Sequence, residues 1–77
     1  MTVEVDARIR KIFSTVLNEN ESNLDANFVL KDNWDSLVQM ETILLVEEEY
    51  GIEFPINSIP SVLTVGDFQE IINGYNQ

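Results

Sequence analysis

The stretch Asp35-Ser36-Leu37-Val38-Gln39-Met40-Glu41-Thr42-Ile43-Leu44-Leu45-Val46-Glu47-Glu48-Glu49-Tyr50-Gly51 reads as one helix with both ends marked. Asp35 suits the N-cap, where a short carboxylate accepts backbone N–H bonds from the first turn. Gly51 suits the position just past the end, where a residue without a Cβ turns left-handed at no steric cost. Leu37, Met40, Ile43 and Leu44 fall at helical spacing and are expected to face inward, with Val46 as a further candidate. The helix then runs from about Ser36 to Tyr50. Its first residue is a serine at the positive end of the helix dipole.

Upstream, Val5, Ile9, Ile12, Phe13, Val16 and Leu17 predict a first helix over roughly Val3 to Leu17. Glu4 and Asp6 near its start, with Arg8, Arg10 and Lys11 further along, suit its dipole. Asn18-Glu19-Asn20-Glu21-Ser22-Asn23 ends it with residues that favour turns. The connection from Asn18 to Trp34 is long for a helical domain, and such a loop is functional or carries its own packing. Leu24, Phe28, Val29 and Leu30 are its apolar anchors.

Downstream, Ile52-Glu53-Phe54-Pro55 reads as extended, and residues 56–62 as a short helical turn kept brief by Pro60. Thr64-Val65-Gly66-Asp67 has the form of a capping box. Val65, Phe68, Ile71 and Ile72, with Tyr75 as a further candidate, give the last helix its apolar stripe, and Asn73-Gly74 marks its fraying end. The fold class is all-α, with three main helices, one short helix and a long loop between helices one and two. A chain of 77 residues fits one small domain spanning 1–77.

Composition narrows the function. A domain of this size buries only about 60% of its unfolded surface, so the core is modest. Yet 44% apolar residues are too many for a disordered acidic tail. The absence of cysteine removes disulfides, thiolate chemistry and cysteine-bound zinc. No segment approaches the roughly 20 apolar residues of a membrane span. Met1 to Asp6 lacks the features of a signal peptide, so a cytoplasmic protein is expected.

Fourteen acids against four bases give a net charge of −10. All four bases (Arg8, Arg10, Lys11, Lys31) precede Asp32, and nine acids without a base follow from there. Such a field repels nucleic acid and anionic lipid, attracts basic surfaces and argues for a monomer.

Asp35-Ser36-Leu37 puts a hydroxyl beside unpaired N–H groups at a helix start. That place favours a phosphate ester by roughly 0.3–1 kcal/mol. Alone, Asp-Ser is an ordinary helix start; its surroundings make it more. From Asn27 to about Ile72 the sequence resembles the acyl carrier protein family. Phe28-Val29 stands where that family has Phe-Val ahead of its modified serine, and Asp35-Ser36-Leu37 matches its Asp-Ser-Leu. Glu41 falls on the acid of its following helix, Glu47 to Pro55 on its acidic helix end and extended turn, and Thr64-Val65 on its last helix start. The resemblance implies an antiparallel helical bundle in which Ser36 receives 4'-phosphopantetheine from coenzyme A through a phosphopantetheinyl transferase. Asp35 and Leu37 flank that attachment point. The thiol of the arm holds acyl groups as thioesters for acyl-loading, condensing, modifying or acyl-transfer enzymes, and supplies the nucleophile that a cysteine-free chain lacks.

Glu47, Glu48 and Glu49 lie at a helix C-terminus, where the dipole disfavours negative charge, and no base lies within helical reach. Breaking a local rule in this way points to function. Glu41, Glu47, Glu48 and Glu53 are therefore candidates for docking basic patches on partner enzymes. Departures from the family pattern are informative. Asn33 and Trp34 stand where small residues are usual, Asp32 where an apolar residue is common, and Val38 where fatty-acid-synthesis members carry an acid. Residues 56–62 have lost the acids usual there. These differences suggest a specialised pathway rather than central fatty acid synthesis. Val38 joins the docking candidates, and so does Trp34, for which packing on its own bundle is the preferred reading.

Ser36 has no histidine to activate it, and Lys31 is the only lysine nearby, so the chain is not expected to be an enzyme. A calcium loop starting at Asp32 fails, with Trp34 at its third position and Leu37 in place of its glycine, and no metal is expected. An unmodified acidic interaction module shares the fold and the acidic face, and an aminoacyl or peptidyl-type carrier shares the modified serine. The acidic helix favours a discrete acyl carrier, whose cargo is a fatty acyl chain or a polyketide intermediate.

Overall fold

The computed structural model describes residues 3–32 and 34–75, the last of these by its backbone alone. Among the described residues three α-helices carry the chain: α1 (Ala7–Leu17), α2 (Ser36–Tyr50) and α3 (Val65–Tyr75). A 3-10 turn (Glu21–Asn23) sits in the long connection, and a short 3-10 helix (Ile56–Ser61) precedes α3. Asn33 and the Tyr75 side chain lie outside the described residues.

Helix α1 starts at Ala7 rather than Val3 because Asp6 is its N-cap. Asp6 is extended (φ −62°, ψ 142°), and its carboxylate accepts the Arg8 N–H at 2.7 Å. Val3 to Asp6 form a lead-in instead, with Val5 buried and the Asp6 N–H donated to Gln69 Oε1 at 2.8 Å. Ile9, Phe13 and Leu17, four residues apart, form the buried edge of α1. Asn18 ends it in the left-handed conformation (φ 54°, ψ 48°), which asparagine tolerates better than most residues.

In α2 the caps are those the sequence implies: Asp35 before it, and Gly51 after it at φ 65°. The inward set is different. Ile43 and Val46 are buried, joined by Thr42, whereas Leu37, Met40 and Leu44 are 71%, 47% and 59% exposed. The reason is that α2 carries apolar residues all round, so the 3.6-residue period singles out no face. The face that turns inward is the one Thr42 can share, because its hydroxyl donates to the Val38 carbonyl at 2.8 Å and needs no other partner.

Helix α3 begins with the expected reciprocal cap. The Asp67 N–H donates to Thr64 Oγ1 at 3.1 Å, and Asp67 Oδ2 accepts the N–H groups of Leu63 and Thr64 at 2.9 and 3.1 Å. Val65, Phe68 and Ile72 are buried, Ile71 is partly so, and the helix continues through Asn73-Gly74. The connection after α1 lies against this helix start. Leu30 N–H donates to Leu63 O at 2.8 Å, Val65 N–H to Phe28 O at 3.0 Å, and Gly66 N–H to Ala26 O at 3.0 Å. Val29 and Thr64 form an isolated antiparallel bridge there. Extended backbone alternates its side chains, so Leu30 turns in while Val29, expected as an anchor, faces out.

Phe68 is the hub of the core. Phe13 meets it edge-on at 5.1 Å, Phe54 stacks on it at 4.6 Å, and Trp34 meets it edge-on at 6.4 Å. Helices α1 and α3 and the segments that lead into and out of α2 therefore close on one aromatic cluster.

Candidate functional site

The site is the N-terminal end of α2. Asp35 Oδ1 accepts the Val38 N–H at 2.9 Å, and the Asp35 carbonyl accepts the Gln39 N–H at 2.9 Å, which starts the helical ladder. Ser36 is therefore the first helical residue, and it is exposed. A helix leaves its first N–H groups without intrahelical partners. Asp35 takes that of Val38, so those of Ser36 and Leu37 lie at the end of the helix beside the serine hydroxyl.

An open groove of about 380 Å³ lies next to the serine, between α2 and the 3-10 helix. Gln39, Met40, Ile56, Ile59 and Pro60 are among its lining residues. Met40 and Ile56 stand at the surface and Ile59 is buried. The groove is therefore mainly apolar, with Ser36 at its edge.

Behind Ser36, Trp34 turns inward. Its ring lies 5.6 Å from Phe13 as well as 6.4 Å from Phe68, so the indole packs on its own bundle. Its carbonyl accepts a hydrogen bond from Gln39 Nε2 at 3.0 Å. No periodicity or motif singles out Gln39, and the sequence reading missed it.

The acids divide into two groups. Glu41, Glu48 and Glu53 are exposed. Glu47 is half-buried, and its Oε2 accepts the Phe54 N–H at 2.9 Å, tying the extended segment after α2 to the helix. Glu49 lies 3.9 Å from Arg8 of α1. The missing compensation for the acidic run is thus partly supplied from outside the helix, by a backbone donor and by a base distant in sequence. Arg8 also covers the Tyr50 ring at 4.2 Å and lies 3.5 Å from Asp6. The Arg8 backbone N–H, more than any other group, holds the Asp6 carboxyl below its ordinary pKa. Val38 is half-buried and packs against the core.

A family model described as a phosphopantetheine attachment site matches residues 7–70. The acyl carrier protein of Sinorhizobium fredii (strain NBRC 101917 / NGR234) is 32% identical over 71 residues, covering 90% of this chain and 91% of the relative. Acyl carrier protein AcpP of Rhizobium meliloti (strain 1021) matches to the same extent. The chain belongs to the acyl carrier protein family. Like other acyl carrier proteins it is a carrier and not a catalyst, and its prosthetic group is phosphopantetheine. The end of α2 fits that group: an exposed hydroxyl accepts a phosphate ester, and the adjoining N–H groups and dipole favour its charge. Among the described residues, no helix is long and apolar enough to cross a membrane.

Proposed function

We propose that Ser36 is the attachment point, and that this acyl carrier protein presents acyl thioesters on a phosphopantetheine arm rooted at the start of α2. The observation that carries the reading is the exposed Ser36 side chain at the first helical position, immediately after a cap made by Asp35. The arm supplies a thiol that the cysteine-free chain does not have. The chain supplies the anchor, the helix dipole beneath the phosphate and an apolar groove beside it.

Transfer from coenzyme A forms the bond between Ser36 Oγ and phosphorus, breaks the phosphoanhydride, and releases adenosine 3′,5′-bisphosphate. The serine proton leaves with the base of the transferase, since no histidine is present in this chain. Intact mass after incubation with coenzyme A and a broad-specificity transferase tests the reading. One phosphopantetheine unit is gained by the parent and none by Ser36→Ala. A gain retained in Ser36→Ala would move the anchor elsewhere. No gain in the parent, with a transferase active on another carrier, would remove the reading.

Partner enzymes dock, in this reading, on exposed Glu41, Glu48 and Glu53 through complementary basic patches, with Val38 at the margin of the same helix. Glu47 contributes charge there only in addition to its bond to Phe54. Val38 and the acid-free 3-10 helix support a specialised pathway rather than central fatty acid synthesis. Competitive loading of the modified protein with acyl-coenzyme A donors of differing length and β-substitution, by the enzymes of its own host, distinguishes the two. Preference for simple saturated chains would count against the specialised assignment.

A further inference from the structure

We propose that Gln39 is a positioning residue for modification of Ser36, acting through a clamp on the backbone that leads into α2. The inference rests on the reading of Ser36 as the anchor. Gln39 lies in the second turn of α2, three residues after Ser36 and on the same side of the helix. Instead of extending into solvent, its carboxamide reaches back past the helix start and donates to the Trp34 carbonyl at 3.0 Å. Trp34 is itself fixed, because its ring is wedged against Phe13 of α1 and Phe68 of α3.

Ser36 is thus held between two constraints. On its N-terminal side, the Trp34 peptide is pinned by an indole in the core and an amide from α2. On its C-terminal side, the Asp35 cap bonds to Val38. Without the clamp, the indole still anchors Trp34, but only the Asp35 side chain on Val38 and the Asp35 carbonyl on Gln39 hold the first turn itself, and helix ends fray from their first residues. A frayed first turn would turn Ser36 Oγ away from any fixed line of attack, while leaving the docking surface of α2 intact. The clamp therefore acts on the rate of the chemical step and not on recognition of the carrier.

The bond also explains how a tryptophan is accommodated two residues before the modified serine. Its bulk is stored in the core and its carbonyl, not its ring, faces the site. Trp34 is consequently no barrier to a broad-specificity transferase.

Gln39→Met keeps the length and apolar stem of the side chain and removes the carboxamide, and with it the donor to Trp34. A single side chain-to-backbone bond of this kind is worth about 0.5–1.5 kcal/mol, or roughly two- to tenfold in an equilibrium. Three measurements on the full chain decide the matter: amide exchange of the Val38 N–H, steady-state kinetics of transfer with the carrier as varied substrate, and the thermal midpoint. The clamp predicts Val38 exchange faster by roughly two- to tenfold and kcat lowered by a similar factor, with KM for the carrier unchanged. Gln39→Arg, which restores a donor of sufficient reach, recovers the parent exchange rate. A modified parent whose Gln39→Met variant exchanges and reacts at the parent rate would overturn the clamp while leaving Ser36 as the anchor. A change confined to KM or to the thermal midpoint would assign Gln39 to docking or to stability alone and likewise overturn it. A parent that gains no phosphopantetheine removes both readings.

Discussion

Replacing Gly66 with alanine reverses the sign that helix propensity alone predicts. In an ordinary helix interior alanine is favoured over glycine by roughly 0.8–1.0 kcal/mol. Gly66 is buried in the first turn of α3, and a Cβ added there falls 2.7 Å from the Ala26 carbonyl oxygen and 3.0 Å from Ala26 Cβ. The same oxygen accepts the Gly66 N–H at 3.0 Å, so it cannot withdraw without giving up that bond. No side-chain rotamer relieves the contact, because its partners are backbone and a Cβ. Overpacking of this kind costs about 1–3 kcal/mol, and weakening the bond costs about 0.5–1.5 kcal/mol more. After the propensity gain, the net loss is about 1–3 kcal/mol. In a domain of this length each kcal/mol moves the midpoint by about 4–8 °C, so Gly66→Ala lowers it by roughly 5–20 °C. Gly74 is the control: nothing lies within 4 Å of a Cβ added there, and Gly74→Ala keeps or raises the midpoint. Thermal melts followed by circular dichroism at matched concentration read both. A Gly66→Ala variant as stable as the parent would refute the close approach of the long connection to α3, and with it the argument for how that connection is held.

Two further perturbations test the far end of α2. The Tyr50 hydroxyl is buried with no hydrogen-bond partner among the described residues. Burial first, and then the Asp6 carboxylate, push its phenol above the ordinary value of 10.0, against the opposing charge of Arg8. A phenol raised in the folded state contributes stability below its unfolded pKa that is lost as pH climbs towards the folded value. Tyr50→Phe therefore matches or exceeds the parent near neutral pH and declines less steeply in urea unfolding above about pH 10; an unchanged alkaline slope would show that Tyr50 ionises as freely folded as unfolded. For the acids, Glu47→Gln keeps an acceptor for the Phe54 N–H and is expected to stay within about 0.5 kcal/mol of the parent, while Glu47→Ala loses roughly 1 kcal/mol. Glu48→Lys leaves stability unchanged but slows association with the transferase and flattens its salt dependence, and stopped-flow rates indifferent to it would remove Glu48 from the docking surface.

Features set by local chemistry were legible in the sequence. Asp35, Gly51 and the Thr64–Asp67 box mark helix ends because each satisfies backbone groups within a few residues of itself. Asp6 illustrates the limit of that logic. Its place beside Val5 suits a helix starting near Val3, yet as a cap it must stand outside the helix it begins. The exposed side of α2 was illegible for a different reason: a helix apolar all round offers several equivalent inward faces, and only packing against α1 and the rest of the core chooses among them. Pairings distant in sequence were hidden as well. Nothing in the order of residues indicates that Arg8 meets Glu49, that Glu47 reaches Phe54, or that Gln39 turns back to Trp34. At the start of α2 the Asp35 cap was legible; the Gln39 bond behind it was not.

The exposed apolar residues of α2 acquire a physical meaning beside the net charge of −10. Leu37, Met40 and Leu44, together with Ile56 across the groove, put apolar surface around the helix that begins with Ser36. In a small carrier such a patch invites self-association. It could be removed by turning α2, but the buried seam of Thr42, Ile43 and Val46 fixes the rotation of the helix. Like-charge repulsion provides another remedy, since it opposes the meeting of two copies while drawing in surfaces of opposite sign. Glu41 and Glu48, three or four residues from Leu37 and Leu44 on α2, are exposed beside this apolar surface, and Glu53 is exposed just beyond the helix. The same charges that would oppose a second copy would admit a basic enzyme, and the apolar residues between them would then be covered only when such a partner arrives.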